Sequence, residues 1–147
     1  MMIVSAVLNR EAVFDHLRDS VVSVLEWHAS RQPAMERLDM AICARASDPT
    51  CVIDGDTIRL DGERIRLLAI DAPELFSSRC EAEYGLAMLA RDRLAEVLSE
   101  EPWRVVRDGT DRYGRTLAKL RLERGWAGTI LVREGLAHWW EDRRSWC

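Results

Sequence analysis

Between Thr50 and Ile70 the sequence passes through three short β-prone runs: Cys51-Val52-Ile53, Thr57-Ile58-Arg59-Leu60 and Arg64-Ile65-Arg66-Leu67-Leu68-Ala69-Ile70. Asp61-Gly62 separates the last two, and such a pair is a strong hairpin signal because both residues tolerate the positive φ that a tight turn needs. Runs this short exclude a long helix and commit the segment to antiparallel sheet. Trp103 to Val106 and Thr116 to Leu122 read as two further strands. Helical spacing surrounds them. From Arg10 to about Ser30, apolar residues recur at steps of three and four behind Asn9 as N-cap. Ser78-Arg79-Cys80-Glu81 reads as a capping box for a second helix, with Leu86, Leu89, Ala90, Leu94, Val97 and Leu98 on one face. A short helix over Thr129 to Glu134 closes at Gly135. The order helix, three strands, helix, two strands, short helix predicts an α+β fold around a small closed or nearly closed barrel.

At 147 residues the chain is about one domain long. Its 48% apolar and 31% charged residues fit a folded chain and exclude disorder and low-complexity architectures. No stretch is apolar enough to span a bilayer, and the run Met1 to Leu8 meets Asn9, Arg10 and Glu11 too soon for a secretion signal. No membrane partner and a cytoplasmic location by default are therefore expected. The net charge of -4 hides an uneven distribution: residues 51–103 carry 6 basic and 12 acidic side chains, residues 104–125 carry 7 and 3. An acidic middle beside a basic segment suggests a site for a cation and an anionic substrate together. Of the 21 basic residues only Lys119 is a lysine, and guanidinium is the better fork for phosphate. His16, His28 and His138 have no partner at metal-ligand spacing and read as structural or surface residues. Cys43, Cys51, Cys80 and Cys147 are too widely spaced for a zinc site. Four free thiols and three disulfide schemes all remain open.

Two acidic clusters flank the hairpin, Asp54-Gly55-Asp56-Thr57 before it and Asp71-Ala72-Pro73-Glu74 after it. Carboxylates converging at one barrel edge would repel unless a cation sat among them, and oxygen ligands suit calcium or magnesium. Taken alone, Asp-Gly-Asp-Thr is more often an ordinary turn, since Asp caps its own backbone and Gly supplies positive φ. Arg66 lies five residues before Asp71, so strict strand alternation would put them on opposite faces. Either a bulge intervenes or Asp71 lies beyond the strand, and Pro73 favours the second. The third element, Thr110-Asp111-Arg112-Tyr113-Gly114-Arg115, is a polar turn in the most basic part of the chain.

Taken in order, Val52-Ile53-Asp54-Gly55-Asp56-Thr57, Arg66 through Glu74, Asp111-Arg112-Tyr113-Gly114-Arg115 and Leu131-Val132-Arg133-Glu134-Gly135-Leu136-Ala137 resemble the staphylococcal nuclease family over about residues 50 to 140. The resemblance implies an OB-fold five-stranded β-barrel with packed helices. It also implies a calcium-dependent endonuclease that cuts DNA and RNA to 5'-hydroxyl and 3'-phosphate ends. Carried over by position, Asp56 and Asp71 become calcium carboxylates, with Ala72 offering its main-chain carbonyl where the family has threonine. Glu74 becomes the residue that orients or deprotonates water. Arg66 and Arg115 become the phosphate-gripping arginines, and Tyr113 a phosphate contact. Where the family places nucleotide-contacting tyrosines, this chain offers Trp140, Glu141 and Arg143, so Trp140 is a candidate for base stacking. Similarity to short, often exported members pairs Cys43 with Cys51 and Cys80 with Cys147, which hints at export.

The expected organisation is an N-terminal helical extension, residues 1–42, followed by the nuclease-like domain, residues 43–147. The extension is a candidate for self-association. The rival functional reading is a non-catalytic OB-fold module that binds nucleic acid without cutting it.

Overall fold

A computed structural model describes residues 33–147. The expected N-terminal helix, with His16 and His28, lies outside the described residues. One compact unit takes in Met35–Cys147. It contains β1 (Cys51–Asp54), β2 (Thr57–Leu60), β3 (Glu63–Leu67), β4 (Ile70–Asp71), α1 (Glu81–Glu100), β5 (Trp103–Thr110), β6 (Thr116–Leu122), β7 (Gly125–Trp126), α2 (Ala127–Arg133) and β8 (His138–Trp139).

The main sheet runs β1-β2-β3-β6-β5, with β7 added on β6, and β4 pairs β8 in a separate two-stranded sheet. All ladders are antiparallel except β3 with β6. That parallel pair follows from connectivity, since α1 and β5 carry the chain back between the two strands. The fold is α+β of the OB type. The barrel, expected to be closed or nearly closed, stays open: among the described residues no ladder joins β1 to β5. The stretch before β1 spans that gap instead. Glu36 exchanges backbone hydrogen bonds of 2.9 Å with Trp103, while the Val52 N–H donates to Ala41 O at 2.8 Å and Val52 O accepts from the Cys43 N–H at 2.9 Å. Met40, between these contacts, is 1% exposed and belongs to the core.

Inward residues alternate along β3, the start of β5 and the end of β6, as a half-buried sheet requires: Ile58 of β2 faces Ile65, and Trp103, Val105, Leu120 and Leu122 fill the adjoining strands. Helix α1 closes the core with a stripe of Glu83, Ala87, Ala90, Leu94, Val97 and Leu98. Leu86 and Leu89 were expected on that stripe, but Leu89 is 58% exposed and Leu86 only half-buried. Closeness decides the rotation. A Cβ placed on Gly55 would stand 2.7 Å from Ala90 Cβ and 2.9 Å from Ala72 Cβ, so small residues let the helix approach the β1–β2 turn. The helix also starts later than the expected capping box. Its N-cap is Cys80, whose sulfur accepts the Glu83 N–H, while the Glu83 carboxylate returns to the Arg79 N–H at 2.7 Å. The box is thus shifted two residues along.

Cys43 is joined to Cys51 and Cys80 to Cys147, spanning 8 and 67 residues. In the chain-entropy picture the longer closure contributes about 4 kcal/mol. Among the described residues no helix is long and apolar enough to cross a membrane.

Candidate active site

The site grows from the β1–β2 turn. The Asp54 Oδ1 accepts the Asp56 N–H at 3.1 Å in an Asx turn, and the Asp56 carbonyl accepts the Leu67 N–H at 2.7 Å. The Asp56 side chain then points into the protein. Its Oδ2 accepts the Ala72 N–H at 2.9 Å and lies 3.0 Å from Arg66 Nη1, and its Oδ1 accepts the Thr57 hydroxyl at 3.0 Å.

Arg66 sits on β3 opposite Thr57. Its guanidinium donates to the carbonyls of Leu67 at 2.9 Å and Ile70 at 3.1 Å, and its Nη2 lies 3.7 Å from Asp71 Oδ1. One conformational detail brings Arg66 and Asp71 together. The third β-prone run, expected to continue to Ile70, stops at Leu67 and turns through Leu68 and Ala69, with φ of 68° at Ala69. That turn resets the alternation, so Asp71, five residues on, faces the same side. Asp71 then lies on β4 rather than on a loop, held opposite His138 of β8. His138 stacks flat on Trp146 at 3.8 Å.

Three acids share this corner. Burial pushes the Asp56 carboxyl up to about 7 against the pull of Arg66, with Asp54 adding to the rise. Asp71 is raised by desolvation and then by Asp56. Glu74 is raised by partial desolvation and then by the negative charges of Asp56 and Asp71, which puts all three in one field. The Glu74 loop is anchored by Glu83, a fully buried carboxylate that accepts the Arg79 N–H and, at 3.5 Å, the Glu74 N–H. Sequence reasoning missed Glu83. Its signal was the Cys80-to-Glu83 spacing of the shifted capping box.

Arg66 forms part of a cleft of about 910 Å³, whose far wall carries Tyr113 and Arg115 and whose end carries Trp140. Asp111 organises the far wall by accepting the Tyr113 N–H, the Arg115 N–H and Arg115 Nε, the last at 2.7 Å. Those bonds outweigh desolvation and hold Asp111 below the usual carboxylate range. The Arg143 guanidinium lies 4.0 Å from the centre of the Trp140 ring, with Arg66 5.9 Å away. Lys119 and Leu117 also line the cleft and were not anticipated as site residues.

Asp56, Arg66 and Asp71 are thus in direct contact, Glu74 joins them electrostatically, and Arg115, Tyr113 and Trp140 share a cleft with Arg66. The expected metal ligands are arranged differently. Among the described residues no group of three or more His, Cys, Asp or Glu side chains is gathered closely enough to hold a metal. The Arg66 cation stands between Asp56 and Asp71, and Ala72 directs its N–H to Asp56. The donor chemistry still fits a hard cation: all-oxygen acids, raised together and facing one guanidinium, carry more negative charge than Arg66 can offset.

Comparison with known proteins bears on this geometry. Thermonuclease of Staphylococcus intermedius is 38% identical over 93 residues, covering 58% of this chain and 54% of that protein. Micrococcal nuclease of Shigella flexneri is 34% identical over 102 residues, covering 58% and 53%. Succinoglycan biosynthesis protein ExoI of Rhizobium meliloti (strain 1021) is 41% identical over 68 residues, covering 44% and 36%. The chain therefore spans about half the length, or less, of the curated relatives it matches. The model of the staphylococcal nuclease homologue family matches residues 64–145, a span that holds Arg66, Asp71, Glu74 and Arg115 and begins after Asp56. With more than half of its residues in that match, the chain belongs to the staphylococcal nuclease homologue family.

Proposed function

We propose that this chain is a calcium-dependent endonuclease that hydrolyses phosphodiester bonds of DNA, with RNA as a further substrate. The observation that carries the reading is the clustering of Asp56, Asp71 and Glu74 around Arg66, which itself lines a cleft together with Arg115. Asp56, Asp71 and the carbonyl of Ala72 are the groups that would hold calcium. Bound there, the ion would polarise a phosphoryl oxygen and offset the charge that builds on it.

The chain's own groups do the rest. Glu74 is exposed, and its raised pKa suits a base that takes a proton from the attacking water. Water oxygen bonds to phosphorus, the bond to the 5' oxygen breaks and that oxygen takes a proton from solvent, leaving 5'-hydroxyl and 3'-phosphate ends. Arg66 and Arg115 present guanidinium forks to the phosphoryl oxygens from fixed positions. Tyr113 supports the phosphate, and Trp140 offers a ring for a base. The two disulfides support an oxidising compartment as the working environment.

The absence of a three-acid metal group among the described residues favours one rival, a module of the same fold that binds nucleic acid without cutting it. Degradation of single-stranded DNA in calcium, in excess chelator, and by Glu74→Gln in calcium separates the two. The nuclease reading expects loss of cleavage in the last two conditions, with 5'-hydroxyl ends on the wild-type products. Equal cleavage in all three would reject the mechanism, and binding without cleavage in calcium would leave the rival.

A further inference from the structure

The outer face of the β5-β6-β7 sheet carries cations where the ladder should discourage them. Alternation that sends Trp103, Val105, Leu120 and Leu122 inward sends Arg104, Val106, Lys119 and Arg121 outward. Arg104 stands directly opposite Arg121, and Lys119 opposite Val106. Like charges facing each other across a ladder destabilise it. Among the described residues none of Arg104, Lys119 and Arg121 enters an ion pair. Among the same residues Arg104 Nε, although buried, also has no hydrogen-bond partner.

An aromatic ring completes the row. Trp126 on β7 is the cross-strand partner of Arg121, with the Arg121 guanidinium 5.2 Å and the Lys119 ammonium 5.9 Å from its centre. The row is continuous with the cleft, because Lys119 and Trp139 line both the cleft and a second hollow of about 110 Å³ that Trp126 helps to form. Unpaired cations spaced along strands beside an indole plane are the chemistry that single-stranded polynucleotides meet on binding surfaces: charge for the backbone, a ring for an unpaired base.

We propose that the outer face of β5-β6-β7 is an exit track for single-stranded nucleic acid, leading from the cleft past Lys119 and Trp126 to Arg121 and Arg104. The track rests on the nuclease reading for its substrate, but its binding is measurable without cleavage.

The test uses the full chain in excess chelator with fluorescent single strands of about four and about twenty nucleotides, short and long against the site sizes of such folds. The double variant Arg104→Gln/Arg121→Gln should weaken the long strand on the order of tenfold at low salt. It should also flatten the dependence of log affinity on log salt by about 0.7 for each lost contact. Trp126→Leu should weaken the same strand on the order of tenfold, as loss of one stacked base does. Neither change should alter the short strand, and the melting temperature of the double variant should hold or rise as the opposed charges are removed. Long-strand affinity and salt slope unchanged in both variants would overturn the track, as would equal weakening of short and long strands. Failure of the wild-type chain to cut DNA in calcium would sink the nuclease reading and leave these binding results standing.

Discussion

On one side of the cleft Arg66 is sealed in. Only 11% of its side chain is exposed, two carbonyls fix its guanidinium, and two aspartates flank it. On the other side Arg115 is 26% exposed, and among the described residues its one ion pair is with Asp111, its guanidinium lying 5.6 Å from the centre of the Tyr113 ring. The two arginines are expected to serve the same phosphate, yet the first is also part of the fold. A buried cation among acids cannot be removed without leaving charge uncompensated, whereas a half-exposed ion pair contributes little to stability. Stability and activity should therefore separate on the Arg115 side and move together on the Arg66 side.

The largest expected effect follows directly. Arg66→Ala should cost about 3 to 5 kcal/mol of folding stability and abolish detectable cleavage. Arg115→Lys should change stability by less than about 1 kcal/mol and lower kcat on the order of 10²-fold, since lysine keeps the charge and loses the fork. Denaturant titration alongside nuclease kinetics reads both. Equal stability losses would erase the distinction between the two sides.

Next comes the turn that aims Asp56. Gly55→Ala should destabilise by about 1 to 3 kcal/mol, because the new Cβ meets Ala90 and Ala72 at less than 3 Å. Its kcat should fall with it as Asp56 is displaced. A variant as stable and as active as wild type would show that the turn yields freely.

Another effect concerns pH. Asp56 is raised from 3.8 to about 7 by burial, so between those values the folded chain holds a proton that the unfolded chain releases. Stability of the metal-free protein should accordingly fall as pH rises from about 4 to about 7 and stay reduced above it. Asp56→Asn should reduce that fall to the part that the raised Asp71 and Glu74 still supply, and calcium should offset it in the wild type. Thermal melts across the range in chelator, with no fall in the wild type, would contradict the burial of an uncompensated acid.

Much of this was legible in the residues. Asp61-Gly62 announced its hairpin, with φ of 49° and 84°, the order of strands and helices pointed to an α+β fold, and the family resemblance supplied the OB type. The Asp56, Arg66 and Asp71 cluster was named from motifs, although periodicity alone set Arg66 against Asp71. What resolved that conflict, the positive φ of Ala69, leaves no signature in an alanine. The stripe of α1 was misjudged at Leu86 and Leu89 because large apolar residues outweighed small ones in the reading, while Gly55 needed alanines beneath it. The segment Glu36 to Cys43 has too little alternation to advertise pairing, and its place between β1 and β5 depends on partners far along the chain. Glu83 is a different case: its partners Arg79 and Glu74 lie just before it, and the local Cys80-to-Glu83 spacing was overlooked.

The most direct test of the acid side is calorimetric titration of calcium into the metal-free chain and into Asp71→Asn. A cation site built on Asp56 and Asp71 should bind one calcium per chain, with affinity reduced at least tenfold in the variant and with proton release near neutral pH as Asp56 ionises. No calcium heat in the wild type, or the same affinity in both proteins, would mean that Arg66 alone balances these acids and that no metal works there.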